Sequence, residues 1–180
     1  VSMLITGDEE RGSPTSSGLI RAEAARAVAA LVLEPAADEG AVKVARKGVS
    51  RYTVQARGRA AHAGLEPEKG VNAGIELAHQ IRALAALANA EAGTSVTPTS
   101  LQGGTTTNTV PAEARVDVDV RAWTAAEQQR VDDQIRGLTA VVPDAEVQVT
   151  GGINRPPMEA EQADGLYAAY ARVTAELGLP

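Results

Sequence analysis

The chain has 180 residues, 44% hydrophobic and 22% charged, with a net charge of −6. Such a balance fits a folded globular chain rather than a disordered one. There is no Phe, one Trp and three Tyr, so stacking on aromatic platforms is largely excluded, and the acidic balance argues against a nucleic-acid or anionic-membrane partner.

The absence of Cys removes disulfides and thiolate metal sites. A metal site would have to draw on carboxylates and on two histidines, His62 and His79. No apolar stretch approaches the length of a membrane span.

In chain order, residues 3–6 are a short apolar run, the pattern of a buried strand. Gly7 ends it, and residues 15–29 read as a helix with Ser16 or Ser17 as a cap. "ALVLEP" reads as a second buried strand stopped by Pro35. Strand, helix and strand within some thirty residues match a βαβ unit with parallel strands.

From residue 41 the pattern changes. "RYTVQARG" (51–58) alternates like a half-buried strand. Residues 69–91 carry a helical stripe of Val71, Ile75, Ala78, Ile81, Leu84, Ala85 and Ala88. On that helix His79, beside Glu76 and Gln80, reads as a surface residue.

"TSVTPTSLQGG" is a strand with Pro98 inside it, which places it at a sheet edge because Pro cannot donate to a ladder. In "EARVDVDVRAW", Ala114, Val116, Val118 and Val120 should face inward, and Arg115, Asp117, Asp119 and Arg121 outward. Thr124 and Glu127 form a capping-box pattern before a helix carrying Val131, Ile135 and Leu138. "AEVQVTG" is the last strand, "NRPP" breaks regularity, and a final helix begins near Glu161.

The expected fold class is α/β plus α+β. A partial parallel-sheet domain (1–40 and 152–180) would carry an inserted ferredoxin-like β-α-β-β-α-β domain (43–150). The chain opens inside an expected strand and closes inside an expected helix, so a fragment of a longer protein is expected.

The chemistry concentrates in "GDEE" (7–10). Adjacent carboxylates repel, and each raises its neighbours' cost of ionising. A solvated turn tolerates this, whereas a bound cation requires it. In a parallel sheet, Glu9 and Glu10 at one strand end would converge with Glu34 at the next. One carboxylate could then hold a metal while its neighbour serves as a general base.

The arrangement resembles one family. "GDEERGSPTSS" followed by "LEPA", "GRAAHAGLEPEKGVNA", "GGTTTNTVPAEARVDVDVR" and "GGINRPPME" are similar, in order, to the di-zinc exopeptidases and deacylases. These include glutamate carboxypeptidase, succinyl-diaminopimelate desuccinylase, acetylornithine deacetylase and aminoacylase, with the glutamate carboxypeptidase branch the most alike.

The resemblance implies a zinc metallohydrolase that cleaves an amide next to a free carboxylate, in a small peptide or an N-acyl amino acid. It implies Glu9 as general base, with Glu10 and Glu34 as ligands of two Zn2+ ions. His62 would be a lid histidine that enters the partner subunit's site and stabilises the oxyanion. Asn108 would lie near the substrate, and Arg155 would bind its carboxylate. A homodimer through the lid domain is implied.

The family uses five zinc ligands, and this chain carries two. The early histidine, the bridging Asp and the late histidine would lie outside residues 1–180. The alternative is a lid and dimerisation module that is inactive as it stands. No residue specifies a compartment; a cytoplasmic location is the expectation.

Overall fold

The computed structural model describes residues 1–35, 37 and 41–178. In chain order the elements are α1 (Ser17–Ala24), β1 (Gly48–Arg57), α2 (Ala73–Ala86), β2 (Ser95–Gly103), β3 (Glu113–Ala122), α3 (Ala125–Arg136), β4 (Glu146–Arg155) and α4 (Asp164–Leu177). They form two compact units, residues 43–165 and residues 1–42 with 166–180.

Residues 43–165 hold one four-stranded sheet of order β2-β3-β1-β4. Each neighbouring pair is antiparallel. With α2 and α3 this is the β-α-β-β-α-β order expected from the alternation and capping signals. The central strands follow their two-residue period. Val54, Val116 and Val120 are wholly buried, while Arg51, Arg57 and Arg115 face water. Burying a valine side chain contributes about 1.5–3 kcal/mol, so these two strands supply much of the driving force.

The proline-bearing strand β2 is an edge, as expected. Its pairing with β3 shifts register between Pro98 and Leu101, where the missing N–H interrupts the ladder. The other edge, β4, contains Gly151 at φ +92°. A Cβ there would sit 2.2 Å from the Arg51 carbonyl oxygen, so only glycine fits. β4 runs on through "NR" to Arg155, further than the pattern of "AEVQVTG" suggested.

Helix α3 begins at Thr124, whose hydroxyl accepts from the Glu127 N–H at 3.2 Å. The Glu127 carboxylate does not return to the cap. It accepts instead from Thr94 and Arg130, so only half of the capping box forms.

Helix α2 is rotated relative to its expected stripe. It buries Ala73, Glu76, Leu77, Gln80 and Leu84, whereas Ile75, Ala78 and Ala85 are exposed. His79 is exposed as read, but its supposed surface neighbours Glu76 and Gln80 face the interior. Polar residues take the inner face because partners await them. The Glu76 carboxylate accepts from the N–H groups of Val141 and Val142 at 2.9 and 2.6 Å and from the Gln80 amide at 2.6 Å.

The expected parallel strands at 3–6 and 30–35 do not form; both runs are irregular. Ile5 and Leu33 in them are 85% and 89% exposed. A parallel strand is stable when it is paired and covered on both faces, and neither run is. Only α1 remains of the expected βαβ unit, and it is shorter than the 15–29 pattern. Its cap Ser16 makes no capping bond because its hydroxyl donates to Asp8 instead.

Candidate functional site

Glu9 and Glu10 lie in a single 3-10 turn, Glu9–Arg11, and both are exposed. The turn is clasped by Asp8. Its carboxylate accepts from the Thr15 N–H and hydroxyl at 2.8 and 2.7 Å, and from the Ser16 N–H and hydroxyl. The hydroxyl bonds from Ser16 and Thr15, then the Thr15 N–H, hold the Asp8 carboxyl far below its ordinary range. The middle acid of the run is thus flanked by one whose charge is already satisfied by the loop.

Glu34 is exposed in the irregular segment after α1. Among the described residues, no group of three His, Cys, Asp or Glu side chains is assembled that could hold a metal ion. Glu9, Glu10 and Glu34 therefore do not form the convergent carboxylate cluster that paired strand ends would have produced.

His62 and Asn108 come from separate loops that pair with each other. His62 bridges Thr109 in antiparallel fashion. The Ala63 N–H donates to the Asn108 carbonyl at 2.8 Å, and the Val110 N–H to the Ala61 carbonyl at 2.9 Å. Both side chains are exposed. The His62 ring is fixed by its own turn: Nδ1 accepts from the N–H groups of Gly64 and Leu65, each at 3.1 Å. The Asn108 Oδ1 accepts from the Thr106 hydroxyl at 3.0 Å.

Arg155 is not in a proline-rich loop. It is the last residue of β4, paired with Val49 at the start of β1, and its carbonyl accepts from the Gln128 amide at 3.0 Å. The same Gln128 nitrogen donates to the Ser50 hydroxyl at 3.0 Å, so a buried side chain of α3 pins the strand end that carries Arg155. Gly48 permits this approach, since a Cβ there would lie 2.8 Å from that nitrogen.

Within residues 43–165, then, His62 follows the end of β1 while Arg155 stands beside its beginning. From Val49 to Arg57 a strand advances by roughly 27 Å at about 3.4 Å per residue. His62 with Asn108 and Arg155 occupy opposite ends of the sheet.

Among the described residues, two buried carboxylates escaped the sequence reading. One is Glu76. Burial alone would raise its pKa, but the bonds from Val142, Gln80 and Val141 outweigh burial and hold it below the ordinary glutamate value. The other is Asp132, which accepts from the Tyr52 hydroxyl and the Arg136 guanidinium, each at 2.7 Å. Burial opposes ionisation of Asp132, and the Arg136 and Tyr52 bonds overcome it. Heptad-like spacing on α2 and α3 could not distinguish these residues from surface acids.

A four-stranded antiparallel sheet with α2 and α3 packed against it, and β2 and β4 at its edges, defines a small α+β domain. The chain belongs to the family described as peptidase dimerisation domain, whose profile matches residues 44–147. It is 28% identical over 190 residues to carboxypeptidase G2 of Pseudomonas sp. (strain RS-16), covering 99% of this chain and 45% of that protein. Aminopeptidase PepT of Bacillus cereus superposes with a TM-score of 0.68 at 23% identity, over 91% of this chain and 46% of that one. An aminobenzoyl-glutamate utilization protein of Klebsiella pneumoniae superposes at 0.53 with 28% identity, over 59% of this chain and 28% of that one. The chain spans about half the length of the curated relative it matches. Relatives of this family are peptidases and amidohydrolases.

Proposed function

We propose that this chain is the lid and dimerisation part, with a portion of the catalytic side, of a homodimeric hydrolase. The bond cleaved is an amide next to a free carboxylate, in a small peptide or an N-acyl amino acid. The observation that carries this reading is the separation of His62 and Asn108 from Arg155 along β1. One copy cannot bring them to one substrate, but a two-fold pair can, with His62 supplied in trans. Free carboxylates also fit the names of a carboxypeptidase and an aminobenzoyl-glutamate utilization protein.

The dimer contact we assign is the β2 edge with the outer face of α2. Helix α2 packs over β2, so the two share one side of the module. Ile75 and Leu101 are 53% and 59% exposed there. Pairing the free backbone groups of β2 with a second copy satisfies them.

In this reading Glu9 takes the proton of the attacking water and returns it to the leaving amine. The His62 ring donates a hydrogen bond to the developing oxyanion. Arg155 holds the substrate carboxylate through its planar fork, with Asn108 beside the bound chain.

Two zinc ions are the cofactor implied, and they would polarise the scissile carbonyl and acidify the water. Glu10 and Glu34 offer two carboxylates, whereas a zinc site takes about four ligands. Among the described residues the donors do not fit a di-zinc site, and the isolated 180 residues are expected to hold no zinc tightly. That same observation favours a second reading, a non-catalytic dimerisation module.

Subunit exchange in the whole protein separates the two readings. Glu9→Gln dimers and His62→Ala dimers, each inactive, are mixed, and exchange is followed by fluorescence transfer between labelled copies. Activity should rise toward half of wild type per mixed dimer, because one site then carries both faults and the other neither. Exchange without recovery would remove the trans role of His62. A wild-type protein inert on dipeptides and N-acyl amino acids would leave the module reading.

A further inference from the structure

The turn after His62 does more than close a loop. Gly64 and Leu65 both direct their N–H groups at the same ring nitrogen, Nδ1, at 3.1 Å. The backbone repeats the enclosure: the Glu66 N–H returns to the His62 carbonyl at 3.0 Å, and His62 itself is bridged to Thr109. An atom that accepts two N–H bonds cannot carry a proton of its own. In a neutral imidazole the proton must then sit on Nε2.

We propose that the Gly64 and Leu65 amides are positioning groups that lock His62 in the Nε2–H form and aim that donor outward. The ring then acts toward its ligand as a neutral hydrogen-bond donor. It is neither a proton acceptor nor a metal ligand, because the outward nitrogen has no free lone pair. The ligand chemistry this selects is an acceptor oxygen carrying developing or full negative charge. The role of that donor rests on the trans reading above; the lock itself does not. The lock also tolerates change beside it: a Cβ on Gly64 would lie 3.6 Å from the ring Cε1, an ordinary contact.

The test is nitrogen NMR on the 180-residue chain labelled at histidine and backbone nitrogen, at a pH where both rings are neutral. His79, exposed on α2, is the internal reference for a free ring. The His62 ring should show Nδ1 wholly unprotonated and Nε2 wholly protonated, while His79 shows the tautomer mixture of a solvated ring. A scalar coupling across the hydrogen bond should connect His62 Nδ1 to the Gly64 or Leu65 amide nitrogen. In His62→Asn, whose side-chain oxygen can still accept, the two amides should keep their protection from solvent exchange; in His62→Ala they should lose it at least tenfold. A His62 ring with the same tautomer mixture as His79, or amides whose exchange is indifferent to His62→Ala, would overturn the proposal. A lock that stands while subunit exchange restores no activity would leave a positioned donor without a catalytic role, so the two failures read differently.

Discussion

In residues 43–165, Val54, Val116 and Val120 are wholly buried. In residues 1–42, Ile5, Leu31, Val32 and Leu33 are 75–89% exposed. Both sets are aliphatic, but those of β1 and β3 alternate with polar residues while those at 3–6 and 30–35 run continuously. A second difference is whether each run finds a neighbour. β1 and β3 pair along ten positions and are covered by α2 and α3. The runs at 3–6 and 30–35 have no ladder. Backbone hydrogen bonding and coverage, more than hydrophobicity, decide which aliphatic segment becomes a strand.

The largest effect that tests this contrast is excision. Residues 43–165 alone should unfold in one cooperative urea transition, with the midpoint of the main transition of the full chain. Residues 1–42 alone should show none. A midpoint that collapses on excision would mean that the core of 43–165 depends on the flanking segments.

Next is a matched pair of truncations. Leu84 is fully buried and Leu33 is 89% exposed. Leu84→Ala should cost about 2–5 kcal/mol, and Leu33→Ala should stay within about 0.5 kcal/mol, both read from urea midpoints. Equal costs would show that Leu33 is covered in solution.

Smaller, but sharper in pH, is the Glu76 tie between α2 and the residues before β4. Its pKa is depressed in the folded state. The stabilisation is therefore complete above the unfolded glutamate value of 4.5, and it is lost as pH falls through the folded value. Glu76→Gln should cost roughly 1.5–3 kcal/mol at pH 7, and the gap should shrink in acid below the unfolded value. A gap independent of pH would mean that shape, not charge, carries the contact.

Legibility in the sequence follows the same division. β3 was readable because one face is wet, so valine and charge alternate strictly from Ala114 to Arg121. The β2 edge was readable because Pro98 has only a few places to go. Helix α2 was misread by a rotation: alanine is common on both its faces, and the residues facing the core include Glu76 and Gln80, whose partners lie more than fifty positions away. The end of β4 was misread because two glycines and two prolines look like a break, although Gly151 keeps the strand paired by yielding to the Arg51 carbonyl.

Of the candidate site, residue types were legible and their companions were not. Nothing local in "AAHAG" says that the histidine ring accepts from the amides of Gly64 and Leu65. Nothing in "NRPP" says that Gln128 holds the strand end.

Arg46 and Met158 exchange both backbone hydrogen bonds, at 2.8 and 2.9 Å. Their Cα atoms are then about 5.5 Å apart, though more than a hundred positions separate them in the chain. To the segments on either side, the folded module is a link of a few ångströms and not a long loop. Closing a loop becomes easier by about 0.6 kcal/mol for each halving of its length. A module that folds first therefore spares its neighbours most of the entropy of finding each other across it. The zipped ends also make it transferable: spliced between two adjacent positions of an unrelated surface turn, residues 46–158 would ask their new host to open by little more than the width of one strand.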